Sequence, residues 1–353
     1  MMEKREKRTY VVTSNPIVRE KRGTRDIMLD VIIALLPTMA FGVYNFGVPA
    51  LVVILVAMGS SAFFEWAYRK LLHKSNSIGD CSALVTGAIM AMALPSSSPW
   101  WMVVIGSFFA IVFVKQLYGG LGKNFLNPAL AGRAFLTASY AGHMTNWVIP
   151  RSLQATGKFT ADVTTMATPL AYLYTGEAMP RYYSRIDMML GHLPGSIGEV
   201  CTIAILIGGA YLLIRKVITW HIPVSFIGTV AVLSLVFGHE GYGRLDWMGY
   251  NVFAGGLIFG AFFMATDYST SPVVPEGRIV YGIGCGILTL LIRYFGAYPE
   301  GVTYAILIMN ACSWAIDKVT KRYQFGVSKE DIKAMKQAKK EAKKAAKEEG
   351  GAA

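Results

Sequence analysis

Apolar runs of about 20 residues, the length that crosses a bilayer as a helix, recur along this chain with short polar breaks between them. They fall near residues 27–44, 49–71, 82–95, 101–118 and 126–141, and again near 197–215, 221–238, 249–266, 279–296 and 301–318. The pattern predicts an all-α polytopic membrane protein with ten transmembrane helices in two groups of five. The chain then divides into a charged N-terminal arm (1–26), a first membrane half (27–141), a long polar interval (142–196), a second membrane half (197–318) and a charged tail (319–353). From Lys329 to Glu349 the tail alternates Lys, Ala and Glu, which predicts a solvated helix with i,i+4 pairs.

The two halves carry a trace of one another. Residues 87–99 align without gaps on 260–272, and Gly87/Gly260, Ala88/Ala261, Ser96/Ser269, Ser98/Ser271 and Pro99/Pro272 coincide. Each stretch closes the third span of its half. Five spans reverse the direction of the next half, so the repeat is inverted, and sites are expected where short or interrupted helices meet. Chance similarity between two Gly/Ala/Ser-rich helix ends is the competing explanation.

Composition agrees with the membrane reading. Of 353 residues 54% are hydrophobic and 16% charged, against about 25% charged in soluble domains. The net charge of +12 does not point to nucleic acid, because the basic residues sit at the two ends and in alternate loops. Arg69, Lys70 and Lys74 mark one loop, Lys115 and Lys123 the next, then Arg215 and Lys216, then Arg278, then the tail. Between them, 45–48 and 96–100 have no Lys or Arg, and 239–248 has only Arg244. The positive-inside rule places both termini in the cytoplasm and the 142–196 interval outside.

Several chemistries are unsupported. Cys81, Cys201, Cys285 and Cys312 form no C-x-x-C pair, and no histidine has metal-ligand spacing to another ligand. No P-loop and no Gly-x-Gly-x-x-Gly motif precedes a helix, so ATP-driven transport and a nicotinamide domain have no basis here.

Polar patches interrupt the membrane region. Residues 115–128 hold three glycines with Asn124 and Asn127, whose amides match the imide edge of a flavin or similar heterocycle, or cap a tight turn. Residues 265–272 place Asp267 at the membrane edge, where an ionisable group is costly unless paired or used, or caps a helix. These two patches share the cytoplasmic side and could line one pocket. A third, 293–301, belongs outside, as a turn in an aromatic belt or a neighbour of the long interval. That interval contains Asp162-Val-Thr-Thr-Met-Ala-Thr168, a hydroxyl-rich loop ahead of Pro169.

Four stretches give the chain a family resemblance across about residues 10–318. They are Ser82-Ala-Leu-Val-Thr-Gly87 with Leu94-Pro95; Tyr118-Gly-Gly-Leu-Gly-Lys-Asn124 with Asn127-Pro128; Ala265-Thr-Asp-Tyr-Ser-Thr-Ser-Pro272; and Tyr298-Pro-Glu-Gly-Val302 with Met309-Asn310. The chain resembles the D-type membrane component of Rnf-type ion-translocating ferredoxin:NAD oxidoreductases, related to the B-type component of the sodium-translocating NADH:quinone reductase. In that family FMN is esterified through its phosphate to a threonine in a D-x-x-(S/T)-G-A-T motif. Here Asp162, Thr165, Ala167 and Thr168 match, and Met166 stands where glycine is usual. The resemblance implies covalent FMN on Thr168, added by a separate flavin transferase, and a non-covalent riboflavin across the membrane near Asn124, Asn127 and Asp267. It also implies partner subunits with iron–sulfur clusters and flavins, an electron-transfer role in a translocase that moves Na+ or H+, and residence in the bacterial cytoplasmic membrane. A channel or secondary transporter without redox chemistry fits the repeat equally well.

Overall fold

The computed structural model describes residues 22–154, 165–175, 179–180, 185–199, 201–238, 242–296, 300–320 and 337, without the side chains of 152, 153, 185 and 186. Most of the tail and residue Asp162 lie outside the described residues. Helices occupy all ten stretches expected from the apolar pattern: α1 (Thr24–Phe46), α2 (Val48–Leu71), α3 (Ser82–Met92), α4 (Trp100–Gln116), α5 (Pro128–Ser139), then, after a short α6 (Pro169–Thr175) in the long interval, α7 (Thr202–Ile214), α8 (His221–Val236), the pair α9 (Arg244–Phe253) and α10 (Leu257–Met264), α11 (Pro275–Phe295) and α12 (Val302–Thr320). Among the described residues the extended pairings are two isolated bridges, Pro95 with Ser196 and Val148 with Thr165.

The helices are less uniform than the apolar runs. Three of those described, α1, α2 and α11, are long and apolar enough to cross a membrane unaided. α9 and α10 form one broken pair bent by 57°, and α3, α4, α7 and α8 are shorter apolar helices. The breaks have local causes. α3 stops at Met92, just ahead of Leu94-Pro95, and a residue before proline avoids helical backbone. Its orphaned carbonyls are taken by the segment leading into the second half: Gly198 N–H donates to Met92 O at 2.7 Å and Ile197 N–H to Leu94 O at 3.0 Å. Residue 198 has to be small, because a Cβ there would stand 2.6 Å from that of Met92. The last two turns of α4, Phe109–Gln116, and the last turn of α10, Gly260–Met264, are π-helical. Such wide turns cluster at functional sites.

Packing repeats between the halves. α2 lies on α3 and α4, as α8 lies on α9–α10 and α11. α4 meets α5 as α11 meets α12, α1 meets α3 as α7 meets α10, and α3 meets α5 as α10 meets α12. Across the middle, α1 packs on α7 and α5 on α12. The α1–α7 crossing is close because Gly208 faces the Ala34 carbonyl, where a side chain would collide. Small residues let membrane helices approach in this way. Asp30, buried in α1, accepts from Tyr211 Oη at 2.9 Å and pairs with Arg215 at 3.2 Å, so the same crossing is also tied by charge.

One basic residue sits differently from the loop reading. Lys115 is 1% exposed and belongs to the π-helical end of α4. Its Nζ lies 2.7 Å from Glu65 Oε2 of α2 and 2.6 Å from Ser82 Oγ of α3. The amphipathic stem carries the ammonium inward because a carboxylate awaits it there, a pairing that the spacing along the chain does not reveal.

Candidate functional site

Two cavities lie at breaks between helices. The first, of about 470 Å³, is bordered by Arg133, Trp147, Thr165, Thr168, Thr303 and Tyr304, among others. The loop at its rim is held by backbone. Val148 bridges Thr165, and Met166 N–H donates to Trp147 O at 3.0 Å. Thr168 then opens α6: its carbonyl accepts from Ala171 N–H at 2.9 Å, its Oγ1 stands 3.4 Å from the same N–H, and Pro169 takes the first helical position. A threonine before a proline is a preferred helix start. The hydroxyl is therefore fixed at the cavity edge and half-buried, whereas Thr165 is exposed.

Met166 has its own work. Its side chain packs against the buried group Leu170, Leu173, Met188, Leu193, Trp247 and Ala254. A glycine there would leave the loop pinned by backbone alone.

The wall opposite the loop is charged. Arg133 of α5 donates to Thr303 Oγ1 at 2.5 Å, pairs with Glu300, and stands 3.7 Å from Glu199. Glu199 precedes α7, while Glu300 and Thr303 lie at the start of α12. Three distant pieces of chain thus meet at one guanidinium. Arg293 is also buried, with Nε donating to the Glu300 carbonyl at 3.1 Å and Nη2 to that of Ala254 at 3.4 Å. It ties backbone together instead of standing in an aromatic belt. Arg293 and Glu300 fall within the 293–301 patch, whereas Arg133 and Glu199 belong to none of the patches read from the sequence.

The second cavity gathers the residues expected for the other flavin. Ser82, Lys115, Asn124, Asn127 and Asp267 all line it, with Met28 and Val31 of α1. Asn127 is committed to the protein's own backbone: Oδ1 caps α5 at the N–H groups of Ala129 (3.0 Å) and Leu130 (3.4 Å), and Nδ2 donates to Met264 O at 3.0 Å. It locks the start of α5 to the end of α10. Asp267 accepts from Ser269 Oγ at 3.0 Å and Thr270 Oγ1 at 3.2 Å. Asn124 donates to Leu126 O at 3.0 Å, and its Oδ1 is buried without a partner.

That orphaned acceptor, beside a lysine and an aspartate, suits the N–H and carbonyl groups of an imide. Space is the limit. The cavity is about 80 Å³, against about 300–1,000 Å³ for ordinary ligand pockets. It has room for a few waters, and a tricyclic ring would require its walls, Leu121 and Asn124 of the 117–125 turn among them, to move apart. Among the described residues no group of three or more His, Cys, Asp or Glu is placed to hold a metal ion.

Fold and cavities together define a polytopic, all-helical membrane protein whose polar sites sit where helices are interrupted. Within that class, the chain belongs to the NQR2, RnfD, RnfE family, whose model matches residues 11–326. It is 45% identical over 323 residues to the D-type component of the Na(+)-translocating ferredoxin:NAD(+) oxidoreductase complex of Acetobacterium woodii, covering 90% of this chain and 96% of that one. It is 42% identical to the D-type component of the proton-translocating ferredoxin:NAD(+) oxidoreductase complex of Clostridium ljungdahlii, covering 91% and 97%. It is 35% identical to the D-type component of the ion-translocating oxidoreductase complex of Halorhodospira halophila, covering 87% and 92%.

Proposed function

We propose that this chain is the RnfD-type membrane electron-transfer component of an ion-translocating ferredoxin:NAD oxidoreductase complex in the bacterial cytoplasmic membrane, bearing FMN as a phosphoester on Thr168. The observation that carries the reading is Thr168 itself, a hydroxyl fixed by a helix start at the rim of a cavity of about 470 Å³. Ala167 and Thr165 keep the motif's pattern, and Met166 anchors the loop from below. Bound flavin supplies one-electron chemistry that no side chain here offers. The protein's part is to hold the loop, shape the cavity and keep charge beside it. A flavin transferase would esterify Thr168, and partner subunits would bring the iron–sulfur clusters and the nicotinamide site. The Asn124 cavity is the proposed place of a second, non-covalent flavin, riboflavin, entered by opening the 117–125 turn. Intact mass of the purified chain tests the central claim: one FMN phosphoester increment is expected, and an unmodified mass would sink it. An unmodified, non-fluorescent chain would instead favour a channel or transporter, which the broken α9–α10 pair also suits.

The packing order supports a ten-span inverted repeat with both termini cytoplasmic. Most equivalent helices have equivalent neighbours, although the α1–α2 and α3–α4 contacts lack a counterpart of like extent in the second half, and α1–α7 and α5–α12 are the pairs that a two-fold axis between the halves would bring together. The break that follows α10 lines the Asn124 cavity through Thr266, Asp267 and Ser269, as expected of a site at an interrupted helix. The names of the relatives differ in the ion moved, sodium in one and protons in another. The polar break at Asp267 is the proposed route for it. Asp267→Ala in the intact complex is expected to slow ion transport more than electron transfer, measured together in proteoliposomes. Equal, unchanged rates of both would remove this route.

A further inference from the structure

The charges around the first cavity leave one donor unused. Arg133 is 5% exposed and its two Nη groups are engaged by Thr303, Glu300 and Glu199. Arg293 donates to the backbone carbonyl of Glu300 and to neither carboxylate, so Arg133 is the cation in contact with both glutamates. What remains is Arg133 Nε–H, buried with no partner. An orphaned buried donor costs about 1–3 kcal/mol. The side chain borders the cavity at whose rim Thr168 stands. A guanidinium clamped from three parts of the chain cannot swing away to find another acceptor.

We propose that Arg133 is the cavity's fixed donor to the carbonyl-bearing pyrimidine end of an isoalloxazine ring, the end where negative charge gathers when the ring is reduced. The proposal rests on the reading that the Thr168 cavity houses FMN. The carboxylates hold the guanidinium in place, and the guanidinium holds the ring and favours its reduced form. The size of the cavity suits a tricyclic ring, unlike that of the Asn124 cavity.

The test separates this proposal from the attachment of FMN. Thr168→Val cannot be esterified and leaves the cavity to free FMN, whose binding to the purified complex is followed by fluorescence quenching. Adding Arg133→Lys keeps the charge but removes Nε–H and the planar fork. It is expected to weaken FMN binding about tenfold. In the chain with Thr168 intact, Arg133→Lys is expected to keep the FMN mass increment. The flavin's midpoint potential should fall by about 59 mV for a one-electron couple, the equivalent of a tenfold greater loss of affinity for the reduced ring than for the oxidised one. The double variant Arg133→Gln, Glu300→Gln keeps the charge balance and replaces Arg133→Lys should that chain not fold. Unchanged FMN affinity and potential in a folded variant would overturn the proposal, as would absence of FMN binding to Thr168→Val. A wild-type chain without the mass increment would overturn the attachment site and leave the affinity measurement decisive for Arg133.

Discussion

A Thr168→Ala chain is expected to run dark under ultraviolet light on a denaturing gel, where the wild-type band fluoresces, and to weigh less by one FMN phosphoester. Electron transfer from ferredoxin to NAD in the complex should fall to background. Position is the reason. The phosphoester needs a hydroxyl that an external enzyme can reach and that then points a flavin into the protein. Thr168 Oγ1 is half-buried at the cavity rim and is held there by the first turn of α6. Thr165 lies earlier on the same rim, but it is exposed and the loop there is held by its backbone. Thr165→Ala should therefore stay fluorescent. Thr168→Ser, which keeps the oxygen at the helix start, should stay at least partly so. Loss of the capping oxygen in Thr168→Ala costs about 1 kcal/mol, too little to unfold a protein of this size, so a dark band means a missing acceptor. A fluorescent Thr168→Ala band would move the flavin elsewhere.

The positions of helices were legible in the sequence because each apolar run is bounded by glycine, proline or charge. Their lengths were not, because hydropathy continues through the breaks. α3 ends at Met92 although Ala93 and Leu94 are as apolar as what precedes them, and the carbonyls that end it are satisfied by Ile197 and Gly198, on the far side of the long polar interval. The hydroxyl-rich stretch that ends at Thr168 was legible as a motif because it is contiguous. The charged wall opposite was not: Arg133 sits in an apolar helix, Glu199 in a turn and Glu300 in a loop, and nothing short of the fold joins them. A signal did exist, since a lone arginine inside a spanning helix needs a partner. The same rule applies to Lys115, whose place just ahead of Tyr118 and the glycine turn reads as that of a loop cation. Asn127 shows the reverse. Its amide looked available for a ligand, yet an asparagine before a proline at a helix start is most often a cap, and here both ends of the amide are used.

The pair Lys115–Glu65 carries the second large expected effect. Both residues are 1% exposed, and Glu65 also accepts from Ser77 at the turn after α2. Burying two charges is expensive, and such a pair adds little net stability over apolar residues of like volume. Removing one partner is different, because it strands the other charge, at about 3–5 kcal/mol. Lys115→Met is therefore expected to lose most of its monodisperse protein in detergent, with a markedly lower Tm. Lys115→Met with Glu65→Gln leaves no stranded charge and should return close to wild-type stability. If holding α2, α3 and α4 together were the only task of the pair, that double variant would also keep full function. The geometry argues for more. Lys115 and Ser82 border the Asn124 cavity, and the ammonium arrives there on a π-helical turn, a local distortion that packing of three apolar helices does not require. The stable double variant is accordingly expected to retain its covalent FMN but to release riboflavin during purification, read as the ratio of extractable to covalent flavin. A double variant with an unchanged ratio would reduce the pair to a structural tie, and the Asn124 cavity would then have to bind its ligand without a lysine.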